Sequence, residues 1–414
     1  METAPFDRAG QGRELLARVA ELGARSDSPQ HYTRTLLTPA HQAAGRQIAH
    51  WMREAGMAVR VDAVGNVIGR YEASGGEGAR TLLLGSHFDS VRNGGKYDGV
   101  LGILVPIACV AQLHHRGERL PLAIEIAAFS DEEGARFQTS FLSSRALIGR
   151  FDPALLERRD ADGVTLAQAL LAAGLDPARV AEARIDPKRL AAYVEVHIEQ
   201  GPVLLDEGLA LGIVTTIAGG SRHLVRVAGE SGHAGTVPMP RRRDALAAAS
   251  EMGLALERRC GAGGSLVGTV GILEVRDGTG NVIPGDVEFT CDIRAGEDAI
   301  RQAAERDVFA SFEEIARRRG VRVTFERTHE VHAVPCAPWL QDRLEASVAR
   351  VGVRPRRLAS GAGHDAMILA QVTDVGMLFV RCGAGGVSHN PAETVSAEDA
   401  GVAVEALLHF VRNV

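Results

Sequence analysis

Four short runs, TLLLG at 81–85, LAIEIAAF at 122–129, AYVEVHI at 192–198 and GMLFVRC at 376–382, are apolar almost without interruption. A strand with one wet face alternates apolar and polar residues, so runs like these belong to strands buried on both faces. Helices packed above and below a mostly parallel sheet provide that burial. The helix-like stretches GRQIAHWMREAGM (45–57) and GVLGILVPIACVAQLHHRG (99–117) alternate with the strand-like ones and supply them. The chain is therefore of the α/β class. Pro106 is a misfit, because it falls inside the helix drawn from 99 to 116 and requires a kink or a later start there.

At 414 residues the chain is long for one core, so two domains are expected. The texture changes between 213 and 328. There VTTIAGGSRHLVRVAGE, SLVGTVGILEVRDG and GDVEFTCDIRAG alternate with a period of two, interleaved with helical stretches at 243–260 and 298–320. After 329 the earlier style returns in WLQDRLEASVARVG. The expected organisation is a larger, discontinuous domain, 1–212 and 329–414, with a mostly parallel sheet covered by helices. A smaller α+β domain, 213–328, is inserted in it.

A formal net charge of −6, with acids and bases interspersed, offers no field to attract nucleic acid or an anionic membrane, so small polar substrates are expected. The opening METAPFDRAGQGRELLARVAEL breaks any apolar stretch with acids and arginines, and the longest apolar run, GILVPIACVA, is too short to span a bilayer. A cytoplasmic location is expected. Five cysteines stand singly, without a CxxC pair, and read as small buried hydrophobes.

The chemistry gathers where the apolar runs end. TLLLGS is followed by His87, Asp89 and Asp98; LAIEIAAFS by Asp131, Glu132, Glu133 and Gly134; AYVEVHI contains His197; and the loop after MLFVRC carries His389. Ligands of open α/β sheets bind beyond the carboxyl ends of the strands, so four clusters distant in sequence can meet there. Imidazoles and carboxylates without thiolates suit a borderline divalent metal such as zinc, and acids able to bridge favour a pair of ions. Two ions together act as Lewis acids and acidify a shared water, which is hydrolytic machinery. His31, His41, His50, His114, His115, His329, His332 and His409 join no such constellation.

The stretches GSHFDSVRNGGKYDGVLG, FSDEEGARF, VEVHIEQGPVL, GHAGTVPM, GNVIPGDVEFTCDIR, SGAGHDAM and GVSHNPAE span residues 85 to about 395. In that order they resemble the amidase, hydantoinase and carbamoylase branch of the M20 superfamily of dinuclear metallopeptidases, which also includes aminoacylase and carboxypeptidase-type enzymes. The resemblance implies that His87 and His197 hold one metal, that Glu133 and His389 hold the other, and that Asp98 bridges them. Zinc is the first expectation, with manganese, cobalt and nickel as alternatives. Asp89 would orient His87 from behind. Glu132 would be the general base.

In the inserted domain, which the resemblance makes a dimerisation and lid domain, His233 would stabilise the oxyanion across the interface of a homodimer. Asn281 and Arg294 would bind the substrate's amide and carboxylate, the guanidinium gripping with two parallel bonds, and Gly363 would add backbone contacts. Arg222 and His223 receive no role. The implied activity is cleavage of the carbamoyl C–N bond of an N-carbamoyl-L-amino acid or related ureido acid, such as allantoate or N-carbamoyl-β-alanine, releasing ammonia and carbon dioxide. The same site would also serve an N-acylamino acid or dipeptide hydrolase, or a metal-retaining binding protein without turnover; the intact Asp131-Glu132-Glu133 triplet argues against the last. Two departures stand out: Gly219-Gly220-Ser221 where some allantoate-processing relatives carry a glutamine, and RCGAGGVSH in place of a serine-containing loop.

Overall fold

The four apolar runs form four neighbouring parallel strands. In the computed structural model, which describes residues 6–261 and 263–414, they lie in the order Ala123–Phe129, Thr81–His87, Leu190–Ile198, Val375–Val380. Thr81–His87 and Ala123–Phe129 are buried along their whole length, as strands covered on both faces must be. The sheet is parallel only at this centre. Antiparallel strands flank it, Val67–Tyr71 and Ala58–Val61 on one side and Leu211–Ile217 on the other. Each leucine or isoleucine fully buried here, such as Leu84 or Ile126, contributes about 1.5–3 kcal/mol.

Two compact units result. The first comprises Met1–Thr215, Cys336–Leu358 and His364–Val414; the second comprises Thr216–Pro335 and Ala359–Gly363. In the first, the helix Val100–His115 packs on the strands so closely that a Cβ at Gly102 would lie 2.0 Å from the carbonyl oxygen of Val196. The helix does not start late. Pro106 lies inside it and is buried, so the helix gives up the hydrogen bond to the carbonyl of Gly102, four residues back, and accommodates the proline ring against that carbonyl.

In the second unit, Leu273–Val275, Asp286–Ala295, Gly219–Ala228 and Arg322–Val331 form an antiparallel sheet, with Val267–Thr269 beside Asp286–Ala295. Val225, Val227, Phe289 and Ile293 are buried in one cluster with Ala248, Met252, Val308 and Phe312 of the helices Ala245–Cys260 and Asp298–Arg319. The other set of side chains is polar and pairs across strands, Arg226 with Glu288 and Arg222 with Asp292. The strand Arg322–Val331, unread in the sequence, carries the chain past residue 329 within this unit.

All five cysteines are free and buried, and burial pushes the thiols of Cys291, Cys336 and Cys382 up to about 12, so they are inert packing groups. Among the described residues no helix is long and apolar enough to cross a membrane.

Candidate metal centre

Parallel strands present their carboxyl ends at one edge of the sheet, and four chemical clusters meet there because four strands end there. His87 is the last residue of its strand and pairs in register with Phe129, after which the chain runs directly into Ser130, Asp131, Glu132 and Glu133. His197 pairs with Phe379 near the ends of the other two strands, and the loop beyond Val380 carries His389.

Asp98 stands at the middle. Its Oδ1 lies 3.2 Å from Nε2 of His197 and 3.6 Å from Nε2 of His87, while Oδ2 lies 3.1 Å from Nε2 of His389, which is in turn 3.2 Å from Oε1 of Glu133. One carboxylate thus turns one oxygen to each of two donor groups, His87–Asp98–His197 and Asp98–Glu133–His389, within each of which the ligand atoms lie within 4.8 Å of one another. Glu132 forms a further group with His87 and Glu133. Asp98 Oδ1 is buried and accepts no hydrogen bond, an orphaned anionic atom facing imidazole nitrogens. That is the donor chemistry a borderline divalent cation satisfies, so the residues fit the metals the sequence implied. Gly99 permits the arrangement: its φ is +65°, and a Cβ there would come within 2.6 Å of the His87 ring.

Electrostatics bind the cluster together. Burial opposes the charge on His87, but Asp89 and Asp98 outweigh it and hold the imidazole above its ordinary range. Hydrogen bonding to Asp98, then to Glu133, pushes His389 up to about 10. Asp98 is held well below the usual carboxylate range, its burial outweighed by His197, His389 and His87. Glu132 behaves oppositely: burial, then its neighbour Glu133, pushes its carboxyl well up, which suits a group that receives and returns a proton.

Residues behind these hold them in place. Asp89 lies 3.3 Å from Nδ1 of His87, and the same carboxylate accepts the backbone N–H groups of Glu132 and Glu133 at 3.0 and 3.2 Å. Glu393 was not singled out in the sequence, yet its Oε1 accepts the N–H groups of Tyr97 and Asp98 and its Oε2 accepts the Ser388 hydroxyl, joining the Asp98 and His389 loops. Gln200 donates to Asp98 Oδ2 and to Ser388. Arg34, fully buried, donates to the carbonyl of Phe88. His364 packs edge-to-face with His197, ring centroids 4.5 Å apart, and buried Glu195 accepts from Ser86 and from the N–H of Ala366. An acid inside an apolar strand, as in AYVEVHI, was the available signal for Glu195. His364 and Glu393 lay within quoted motifs without a local pattern to set them apart.

His233, Asn281, Arg294 and Gly363 belong to the second unit. Val282 pairs with His233, and the Asn281 carbonyl accepts the N–H of Ala234, so the first two are neighbours. His233 is exposed. Arg294 donates to Asp292 and to the carbonyl of Gly361, two residues before Gly363.

Imidazoles and carboxylates sharing one central acid, with a high-pKa carboxyl beside them, define a metal-dependent hydrolase. Residues 83–413 match the model of peptidase family M20/M25/M40, and the chain belongs to that family. It is 43% identical over 402 residues to the N-carbamoyl-L-amino acid amidohydrolase of Geobacillus stearothermophilus, covering 97% of this chain and 98% of that one. To the allantoate deiminase of Arabidopsis thaliana it is 41% identical over 431 residues, covering 97% and 82%. A hydantoinase/carbamoylase-family amidase from Burkholderia multivorans superposes with a TM-score of 0.90 at 33% identity, over 97% of both chains. The protein is accordingly a metal-dependent hydrolase of carbon–nitrogen bonds other than peptide bonds.

Proposed function

We propose that this protein is a cytoplasmic, homodimeric amidohydrolase that cleaves the carbamoyl C–N bond of an N-carbamoyl-L-amino acid or a related ureido acid, such as allantoate or N-carbamoyl-β-alanine, yielding the free amine together with ammonia and carbon dioxide. The supporting observation is Asp98, whose two oxygens face two separate donor groups. His87 and His197 would hold one divalent ion, Glu133 and His389 the other, and Asp98 both; zinc suits these ligands, as do manganese, cobalt and nickel. Such ions, when bound, supply Lewis acidity and lower the pKa of water.

The chain's own residues do the rest. Asp89 fixes the ring of His87 and, through the amides of Glu132 and Glu133, the position of both acids. Glu132 takes the proton of the attacking water and returns it to the departing nitrogen. His233 of the partner subunit donates to the oxygen that becomes anionic in the transition state. Arg294 takes the substrate carboxylate, with Asn281 and the backbone at Gly363 aligning the amide. Relatives of both names, carbamoyl-amino-acid and allantoate enzymes, support the ureido group as target. The test is release of the free amino acid by metal-loaded protein from N-carbamoyl-α-amino acids and N-carbamoyl-β-alanine against the N-acetyl derivatives of the same amino acids, with ammonia release followed for the carbamoyl compounds and for allantoate. Turnover of the carbamoyl compounds is expected; faster hydrolysis of the acetyl series would replace this reading with an acylase.

A further inference from the structure

The helix Pro39–Glu54 turns Gln42, Gly45, Arg46, Ala49 and Arg53 towards a cleft of about 470 Å³ that lies wholly within the first unit. Its other walls are Leu37, Val61, Val67, Ala173 and Leu175, and its floor is made by His41 and Phe88, both buried and stacked with ring centroids 4.3 Å apart. The volume falls in the range of small-molecule sites, and the lining is apolar with few polar groups, as such sites are. The charges at the rim share one sign. Arg46 and Arg53 are exposed, and neither forms an ion pair or side-chain hydrogen bond with any described residue. Exposed arginines elsewhere, such as Arg60, Arg116 and Arg322, are unpaired among the described residues as well; what sets Arg46 and Arg53 apart is that both line the cleft. Two helical turns separate Arg46 from Arg53, with Ala49 of the same helix lining the cleft between them.

We propose that this cleft is a second ligand site, distinct from the metal centre, which takes a small monocarboxylate with an apolar body. The carboxylate would be held by Arg46 and Arg53, which can present forked donors to it, while the body packs on Phe88, Val67 and Leu175. The floor is the reverse side of the metal centre. Phe88 stands between His87 and Asp89, and Nε2 of His41 lies 2.8 Å from the carbonyl of Ser130, one residue before the Asp131-Glu132-Glu133 triplet. An occupant therefore rests on the two segments that carry His87 and Glu132.

The test is calorimetric titration of the full chain with hydrocinnamate and its uncharged amide, with and without added zinc. It is run in an Arg294→Ala background to silence the proposed substrate-carboxylate position. Hydrocinnamate is expected to bind, the amide at least about tenfold more weakly, and the Arg46→Ala/Arg53→Ala protein at least about tenfold more weakly than its parent. Ala173→Trp, which fills the cleft from its rim, should abolish binding while the thermal melt stays that of the parent. Equal affinity for acid and amide, unchanged affinity without the two arginines, unchanged affinity in Ala173→Trp, or binding seen only when Arg294 is present would each overturn the proposal.

Discussion

Glu132 and Glu133 are adjacent acids with opposite surroundings. Glu133 lies against His389, whereas Glu132 is buried with its carboxyl pushed up. If Glu132 is the general base, Glu132→Gln should lower kcat by about 10²–10⁴-fold with metal content unchanged by elemental analysis; loss of metal in step with activity would make it a ligand instead. The proposed ligand acids and histidines were legible because each lies at the end of an apolar run or in the loop that follows it. His41 was not, since a lone histidine in a helix has no pattern, and only the fold stacks it on Phe88 and ties it to Ser130. Burial pushes His41 down to about 4 from an ordinary 6.5. The unfolded chain therefore takes up this proton first as pH falls. The contribution of neutral His41 to stability is whole above about 6.5 and lost by about 4, roughly 3 kcal/mol in all. Urea unfolding of wild type and His41→Gln at pH 7 and pH 4.5 should show a shallower acid loss in the variant, and parallel profiles would exclude this source.

At the scale of elements, strands buried on both faces announce themselves, so the central sheet was legible and its antiparallel flanks less so. Arg322–Val331 escaped because much of it is exposed and its charged residues break the alternation. Loops are harder still. Glu393 meets the backbone of Asp98 across 295 residues, a contact that no local spacing encodes. That contact fixes two loops at once, one bearing the central acid and the other His389. Glu393→Ala should therefore weaken metal binding by about 10–100-fold in competition with a chelator, as loss of a supporting hydrogen-bond partner does in other metal sites. Affinity within a factor of two of wild type would show that the loops hold their places without the clamp.

At the scale of the whole molecule, the proposed chemistry is divided between two units: the metal-type donors and Glu132 lie in one, His233, Asn281 and Arg294 in the other. An exposed histidine on a two-residue strand, in no metal-type cluster among the described residues, is an odd place for an oxyanion donor unless another subunit uses it. That makes trans action testable by mixing. Glu132→Gln and His233→Ala proteins should each be nearly inactive alone. In a mixed dimer, one of the two sites regains both a native Glu132, from the His233→Ala chain, and a native His233, from the other. Random exchange makes half the dimers mixed with one working site in two, so activity should return to about a quarter of wild type. Exchange is to be verified by mass spectrometry of differently tagged chains. Mixed dimers that form and remain inactive would place His233 in the site of its own chain, or outside the site altogether.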